Sequence, residues 1–155
     1  MTYDVLRMLH LLGVVLLIGN VTVTSVWKLY ADATRDPAIV AFAQRLVTIT
    51  DWFFTFWGIL LLVIGGYGAA WVAGMDVLRD DWLVWSEVMF VLAGIVWLFL
   101  LVPIQVRQAR MARGFARGGP IPDAYWKLGR QWIAWGLVAT VPLVAAVWLM
   151  LRKGW

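Results

Sequence analysis

A chain of 155 residues that is 63% hydrophobic and only 14% charged has too little polar surface for a water-soluble globule, in which about a quarter of residues carry charge; its mean hydropathy of +0.83 makes lipid the expected solvent. The net charge of +4 reads as the cytoplasmic cation bias of membrane proteins rather than a nucleic-acid footprint. No cysteine is present and His10 is the single histidine, which excludes disulfides, thiolate metal sites, thiol catalysis and any His-rich metal centre.

The first apolar stretch lies near Asp4–Val26. The preceding residues lack a basic n-region and no A-x-A cleavage signature follows, so it is expected to stay as a membrane helix rather than leave as a signal peptide. Further stretches near Asp51–Ala73, Trp82–Val102 and Gln131–Leu151 also reach the roughly 20 residues that a hydrocarbon core of about 30 Å requires. Lipid offers no partners to free backbone N–H and C=O groups, so each span is predicted helical. The unbroken apolar run Ile59–Ile64 excludes the alternation of a membrane β-barrel. The expected fold is all-α, a polytopic transmembrane four-helix bundle forming one domain over residues 1–155.

Two connections carry most of the charge. In the first, Asp36-Pro37 is a helix start, with Asp as N-cap and Pro at the first helical position, and Ala38–Thr50 runs into the second span or lies in the interface. In the second, Arg107, Arg110, Arg113 and Arg117 recur at spacings that share one helical face, before Gly118-Gly119-Pro120-Ile121-Pro122 breaks the helix. That face is expected to meet anionic lipid headgroups, at about 1 kcal/mol per charge. No nucleic-acid partner is expected.

Lys28, Arg35, Arg45, Arg107, Arg110, Arg113, Arg117, Lys127 and Arg130 fall on the side of these connections. Arg7, Arg79, Arg152 and Lys153 fall on the other. The imbalance predicts long loops in the cytoplasm and both termini outside. Trp27, Trp52, Trp57, Trp126, Trp132 and Trp135 at one level, and Trp71, Trp82, Trp85, Trp148 and Trp155 at the other, match the two interfacial aromatic belts.

Periodicity predicts the inward faces. The first span offers Tyr3, His10, Gly13, Leu17, Asn20 and Thr24. The second offers Asp51, Thr55, Gly58, Leu62, Gly65, Gly66 and Ala69. The third offers Glu87, Val91, Gly94, Leu98, Leu101 and Gln105, and the fourth Gln131, Trp135, Val138, Pro142, Ala145 and Ala146. Small residues let membrane helices approach, and polar ones avoid lipid by facing partners. By depth, Asn20, Thr24, Asp51, Thr55, Gln105 and Gln131 form a buried polar cluster near the cytoplasmic end, in which Asp51 is expected to cap the second span and bond Asn20 or Gln131. His10 and Glu87 lie near the outer end, and a Glu87 carboxylate facing the ring would fix its orientation.

An ionisable residue at such depth is a functional candidate, and three readings of His10 stand open. It is a structural histidine bonded to Glu87 or to a backbone carbonyl, an axial ligand to haem b, or a copper ligand assisted by thioethers such as Met8, Met75, Met89 or Met150.

The opening Val5-Leu6-Arg7-Met8-Leu9-His10-Leu11-Leu12-Gly13 with Gly19-Asn20, then Asp51, then Val102-Pro103-Ile104-Gln105, resembles a bacterial family of four-helix integral membrane proteins whose domain has no assigned function. The resemblance implies a multi-pass protein of the bacterial cytoplasmic membrane. More distantly, an early histidine followed by glycines is similar to the copper-resistance D proteins and to HemJ-type protoporphyrinogen oxidases, a resemblance that implies haem b. Those oxidases use a lysine in a later span. Here Lys28 and Lys127 are placed in loops and Lys153 is terminal, so the resemblance carries haem binding through His10, with Glu87 beside it, and not the oxidase activity. The function expected is that of a haem b-associated membrane protein, redox or porphyrin-handling. The alternative is a non-catalytic subunit or assembly factor of a larger membrane complex, with His10 structural. One histidine per chain requires a homodimer for bis-His ligation.

Overall fold

The computed structural model describes residues 1–152, so Lys153 and Trp155, assigned above to the outer side, lie outside the described residues. Among the described residues there is no strand. The helices are α1 (Thr2–Thr34), α2 (Pro37–Thr50), α3 (Phe56–Val72), α4 (Asp81–Val96), α5 (Val102–Phe115) and α6 (Asp123–Leu151), with π-helical turns at Asp51–Thr55 and Trp97–Leu101. The π turns join their neighbours without a break, leaving four continuous helices long and apolar enough to cross a membrane: Thr2–Thr34, Pro37–Val72, Asp81–Phe115 and Asp123–Leu151.

These helices overrun the spans expected from hydropathy. α1 has 33 residues, about 50 Å at 1.5 Å per residue, against about 30 Å of hydrocarbon. Backbone pairing inside a helix continues past the lipid for as long as nothing in the sequence stops it. α1 stops at Arg35, which is left-handed (φ 57°). The next residue, Asp36, caps α2 as its sequence implies: its carboxylate accepts from the Ala38 N–H at 2.8 Å and the Ile39 N–H at 3.2 Å. Gly74 (φ +67°) turns the chain after α3 and Gly118 (φ +96°) after α5, conformations that cost glycine little.

The chain divides into two compact units. The first comprises residues 1–75 with 109–121, the second residues 76–108 with 122–155. In the first, α1 packs along α3 and, through its C-terminal part, against α2 and the π turn at Asp51–Thr55. Its buried stripe is Gly13, Leu17, Asn20, Thr24, Lys28 and Ala31, the predicted face carried two turns further. α3 meets it with Gly58 and Gly65, after Thr55 in the π turn.

Glycine sets how close these two helices come. A Cβ on Gly65 would stand 2.6 Å from the Leu6 carbonyl oxygen. One on Gly13 would stand 2.6 Å from that of Gly58 and 2.8 Å from the Leu62 Cα. No side chain fits there, so backbone lies on backbone, which is how membrane helices associate without a hydrophobic drive.

In the second unit α4 packs along α6. The buried positions are Leu83, Ser86 and Ala93 on α4, and Tyr125, Gly129, Trp132, Ala139 and Ala146 on α6. This corrects the predicted faces in part, since Leu101, Gln105 and Ala146 are buried as expected. Val91, Leu98, Trp135 and Val138 are exposed, as is Gln131. The true α6 face lies mostly one residue further along, a rotation of about 100°. Alanine and glycine set the contact here, and a glutamine near a helix end reaches polar surroundings without turning inward. Trp132, assigned to the aromatic belt, is instead buried, whereas Trp52, Trp57, Trp71, Trp85 and Trp148 are exposed as belt residues would be.

Candidate functional site

The site begins with where the α1–α3 seam leaves room. His10 is half-buried one turn before Gly13. Its ring lies over Gly66: a Cβ there would stand 2.8 Å from the imidazole Nδ1 and 3.2 Å from Cε1. Glycine at this position is therefore what admits the ring between the helices.

The Nδ1 atom is 2.8 Å from the Leu62 carbonyl oxygen on α3. A carbonyl only accepts, so Nδ1 carries the proton and donates it. A neutral imidazole then holds its lone pair on Nε2, the form that binds metals, and a backbone carbonyl is a usual partner for the opposite N–H of a ligating histidine. Of the two bonds the structural reading named for His10, the structure contains the one to a backbone carbonyl. Glu87 is half-buried on α4, in the other unit.

Three turns along α1 from His10 the buried residues become polar. The Asn20 amide Nδ2 donates to Asp51 Oδ1 at 2.9 Å and to Thr55 Oγ1 at 3.0 Å, and the Thr55 hydroxyl donates to the same Asp51 oxygen at 3.2 Å. Thr24 turns its hydroxyl back to the Asn20 carbonyl at 2.6 Å. These four predicted residues come together.

Asp51, however, does not start the second span. It sits in right-handed helical conformation within the unbroken run from Pro37. The π turn that begins there adds a residue to the helix, and such bulges often mark functional positions. Gln105 is buried on α5 in the second unit, its Oε1 without a hydrogen-bond partner among the described residues. Gln131, exposed on α6, is no member of a buried cluster.

The charged end of this column was not among the residues expected from the sequence. Lys28, assigned to a loop, lies inside α1 with its side chain 1% exposed and its Nζ 3.0 Å from Asp32 Oδ2. The signal was present, because Asn20, Thr24, Lys28 and Asp32 are four apart and such residues share a helical face. Counting Lys28 as a loop cation hid it. Gln108 was missed likewise. It is fully buried one turn beyond Gln105, and neither of its amide atoms has a partner among the described residues.

Chemically, the first unit offers one imidazole whose Nδ1–H is taken up by a carbonyl, one carboxylate that accepts from Asn20 and Thr55, and the Lys28–Asp32 pair. Among the described residues no group of three or more His, Asp or Glu comes together as a metal site would need.

The model of the family described as "Predicted integral membrane protein (DUF2269)" matches residues 4–154. No curated protein matches the chain, nor does any solved structure.

Proposed function

The chain belongs to the DUF2269 family of predicted integral membrane proteins and crosses the membrane several times, and from that premise we propose that it is a haem b-associated membrane protein in which His10 supplies the axial imidazole. One observation carries this reading: the His10 Nδ1–H is committed to the Leu62 carbonyl, so that in the neutral ring Nε2 is a lone-pair donor of fixed orientation. A metal-bound imidazole needs that state, and a partner on the far nitrogen raises its basicity. The glycine at position 66 supports it, since any larger residue there would displace the ring.

When bound, haem would supply one-electron redox chemistry or a porphyrin macrocycle to be handed on. The protein's own part is to hold the imidazole in one tautomer, within the α1–α3 seam. A single histidine per chain gives one imidazole to a monomer and two only to a homodimer. The Lys/Arg imbalance favours both termini outside the cytoplasm of a bacterial inner membrane. Active reporter fusions after Trp155 on the cytoplasmic side would contradict that orientation.

Titration of the purified protein with haem tests the reading. The wild type should develop a Soret band that saturates at one haem per chain or one per two chains. His10→Ala should lose most of it while keeping its helical circular dichroism, because such a change typically costs only about 1–3 kcal/mol. A wild type that takes up no haem would refute it.

A second reading is favoured by a different observation. Asn20, Asp51 and Thr55 bond one another, a buried polar network that suits a non-catalytic subunit of a larger complex, with His10 structural. That reading expects a persistent second polypeptide in mild detergent and no haem uptake.

A further inference from the structure

The α5 helix is divided along its length. Gln105, Gln108, Ala112 and Phe115 are buried on one side, while Arg107, Arg110 and Arg113, and Arg117 just beyond the helix, are all exposed. Residues 102–122 contain no Asp or Glu, and among the described residues none of the four arginines forms an ion pair. Arginines three apart are neighbours on a helix surface and repel one another. A stripe of like charge with no internal counter-ion is therefore completed by an anion from outside the chain.

Helix length says which anion is within reach. Asp81–Phe115 is one continuous helix of 35 residues. At 1.5 Å per residue Arg107 lies about 39 Å along it from Asp81, and Arg113 about 48 Å. A hydrocarbon core of about 30 Å within a bilayer of about 40–45 Å, headgroups included, puts the start of the stripe at headgroup level, and helix tilt brings the rest closer. Guanidinium groups present parallel N–H donors that match phosphate oxygens.

We infer that the exposed arginine face of α5 (Arg107, Arg110, Arg113 and Arg117) is a docking surface for anionic phospholipid headgroups at the end of the membrane-crossing helix. The surface is separate from His10 and stands whether or not haem binds.

The test uses the full chain reconstituted in phosphatidylcholine vesicles with increasing brominated phosphatidylglycerol, and reads lipid preference from tryptophan quenching. The wild type should prefer the anionic lipid about ten-fold or more at low salt, and the preference should fall as salt screens the charges. A variant with all four arginines changed to glutamine should come within about two-fold of no preference, and each single change should cost up to about five-fold. Should the quadruple variant not fold, the graded singles carry the same test. Arg79→Gln, outside the stripe, should leave the preference intact. Three results would each overturn the inference: no preference in the wild type, an undiminished preference in the arginine variants, or loss of the wild-type preference on adding millimolar glycerol phosphate. The last would make the stripe a site for a soluble phosphate.

Discussion

The α1–α3 pair and the α4–α6 pair are both antiparallel contacts between long apolar helices, yet different devices hold them. Along α1–α3 backbone touches backbone at Gly13, Gly58 and Gly65, and side chains bond across the seam at His10–Leu62. The Asn20–Thr55 bond joins α1 to the π turn just before α3. Along α4–α6 the hydroxyls turn back on their own helices, Ser86 to the Trp82 carbonyl at 2.6 Å and Thr140 to the Gly136 carbonyl at 2.8 Å. Two glycines of that unit are open, since a Cβ on Gly94 or Gly136 would meet nothing within 4 Å. A seam specified by close approach and directional bonds holds a side chain in one state. On the α4–α6 pair the buried positions are mostly small or apolar: Leu83, Ala93, Gly129, Ala139 and Ala146. That contrast is why the candidate site belongs to the first pair.

Substitutions at glycine should break the comparison most visibly. Gly65→Leu or Gly13→Leu would drive a side chain into the backbone of the facing helix, and at least about 3 kcal/mol of destabilisation is expected, above the usual range for overpacking. Gly94→Ala and Gly136→Ala should instead be neutral or stabilise by up to about 1 kcal/mol, the propensity difference. Thermal unfolding in detergent distinguishes them, and equal effects at the two seams would dissolve the contrast.

Next in size is Asp32→Asn. It takes the carboxylate from 3.0 Å beside a buried ammonium, and losing one member of a buried pair costs about 3–5 kcal/mol. Asp32 keeps some exposure, so about 2–3 kcal/mol is expected. Lys28→Met, which removes the charge itself, should cost less than Asp32→Asn. The reverse order, measured by the same unfolding assay, would show the pair not to be a desolvated one.

A smaller effect belongs to Asn20→Leu, which leaves Asp51 and Thr55 without their shared donor. Bonds of this kind within membranes average about 0.6 kcal/mol and reach about 1.7, so a loss of about 1–2 kcal/mol is expected. Ser86→Ala on the other pair should fall within about 0.5 kcal/mol, because its hydroxyl serves only its own helix.

The first pair was legible in the sequence for the reason that makes it specific. On α1 Gly13, Asn20 and Thr24 fall on one stripe, so the small-residue and polar signals coincide, and Asp51 and Thr55 repeat the pattern opposite. On α6 the two signals diverge. Gln131 suggested one face, while Gly129, Ala139 and Ala146 made another, and packing followed the small residues. Lys28 was misread because a charge near a span end was taken to mark a loop, whereas α1 continues to Thr34. Asp51 looked like a cap because hydropathy rises there, but α2 had already begun the helix at Pro37. Hydropathy reports the lipid boundary, and backbone hydrogen bonding, which sets helix ends, ignores it.

The most direct test of the claim that the α1–α3 seam prepares His10 as a ligand is ¹⁵N NMR of the protein labelled at histidine. One histidine in the chain makes the imidazole signals unambiguous. That claim requires a single tautomer without added haem, protonated at Nδ1 and bare at Nε2, with the Nε2 resonance moving most when haem is added. A proton on Nε2, or exchange between the two tautomers, would contradict it.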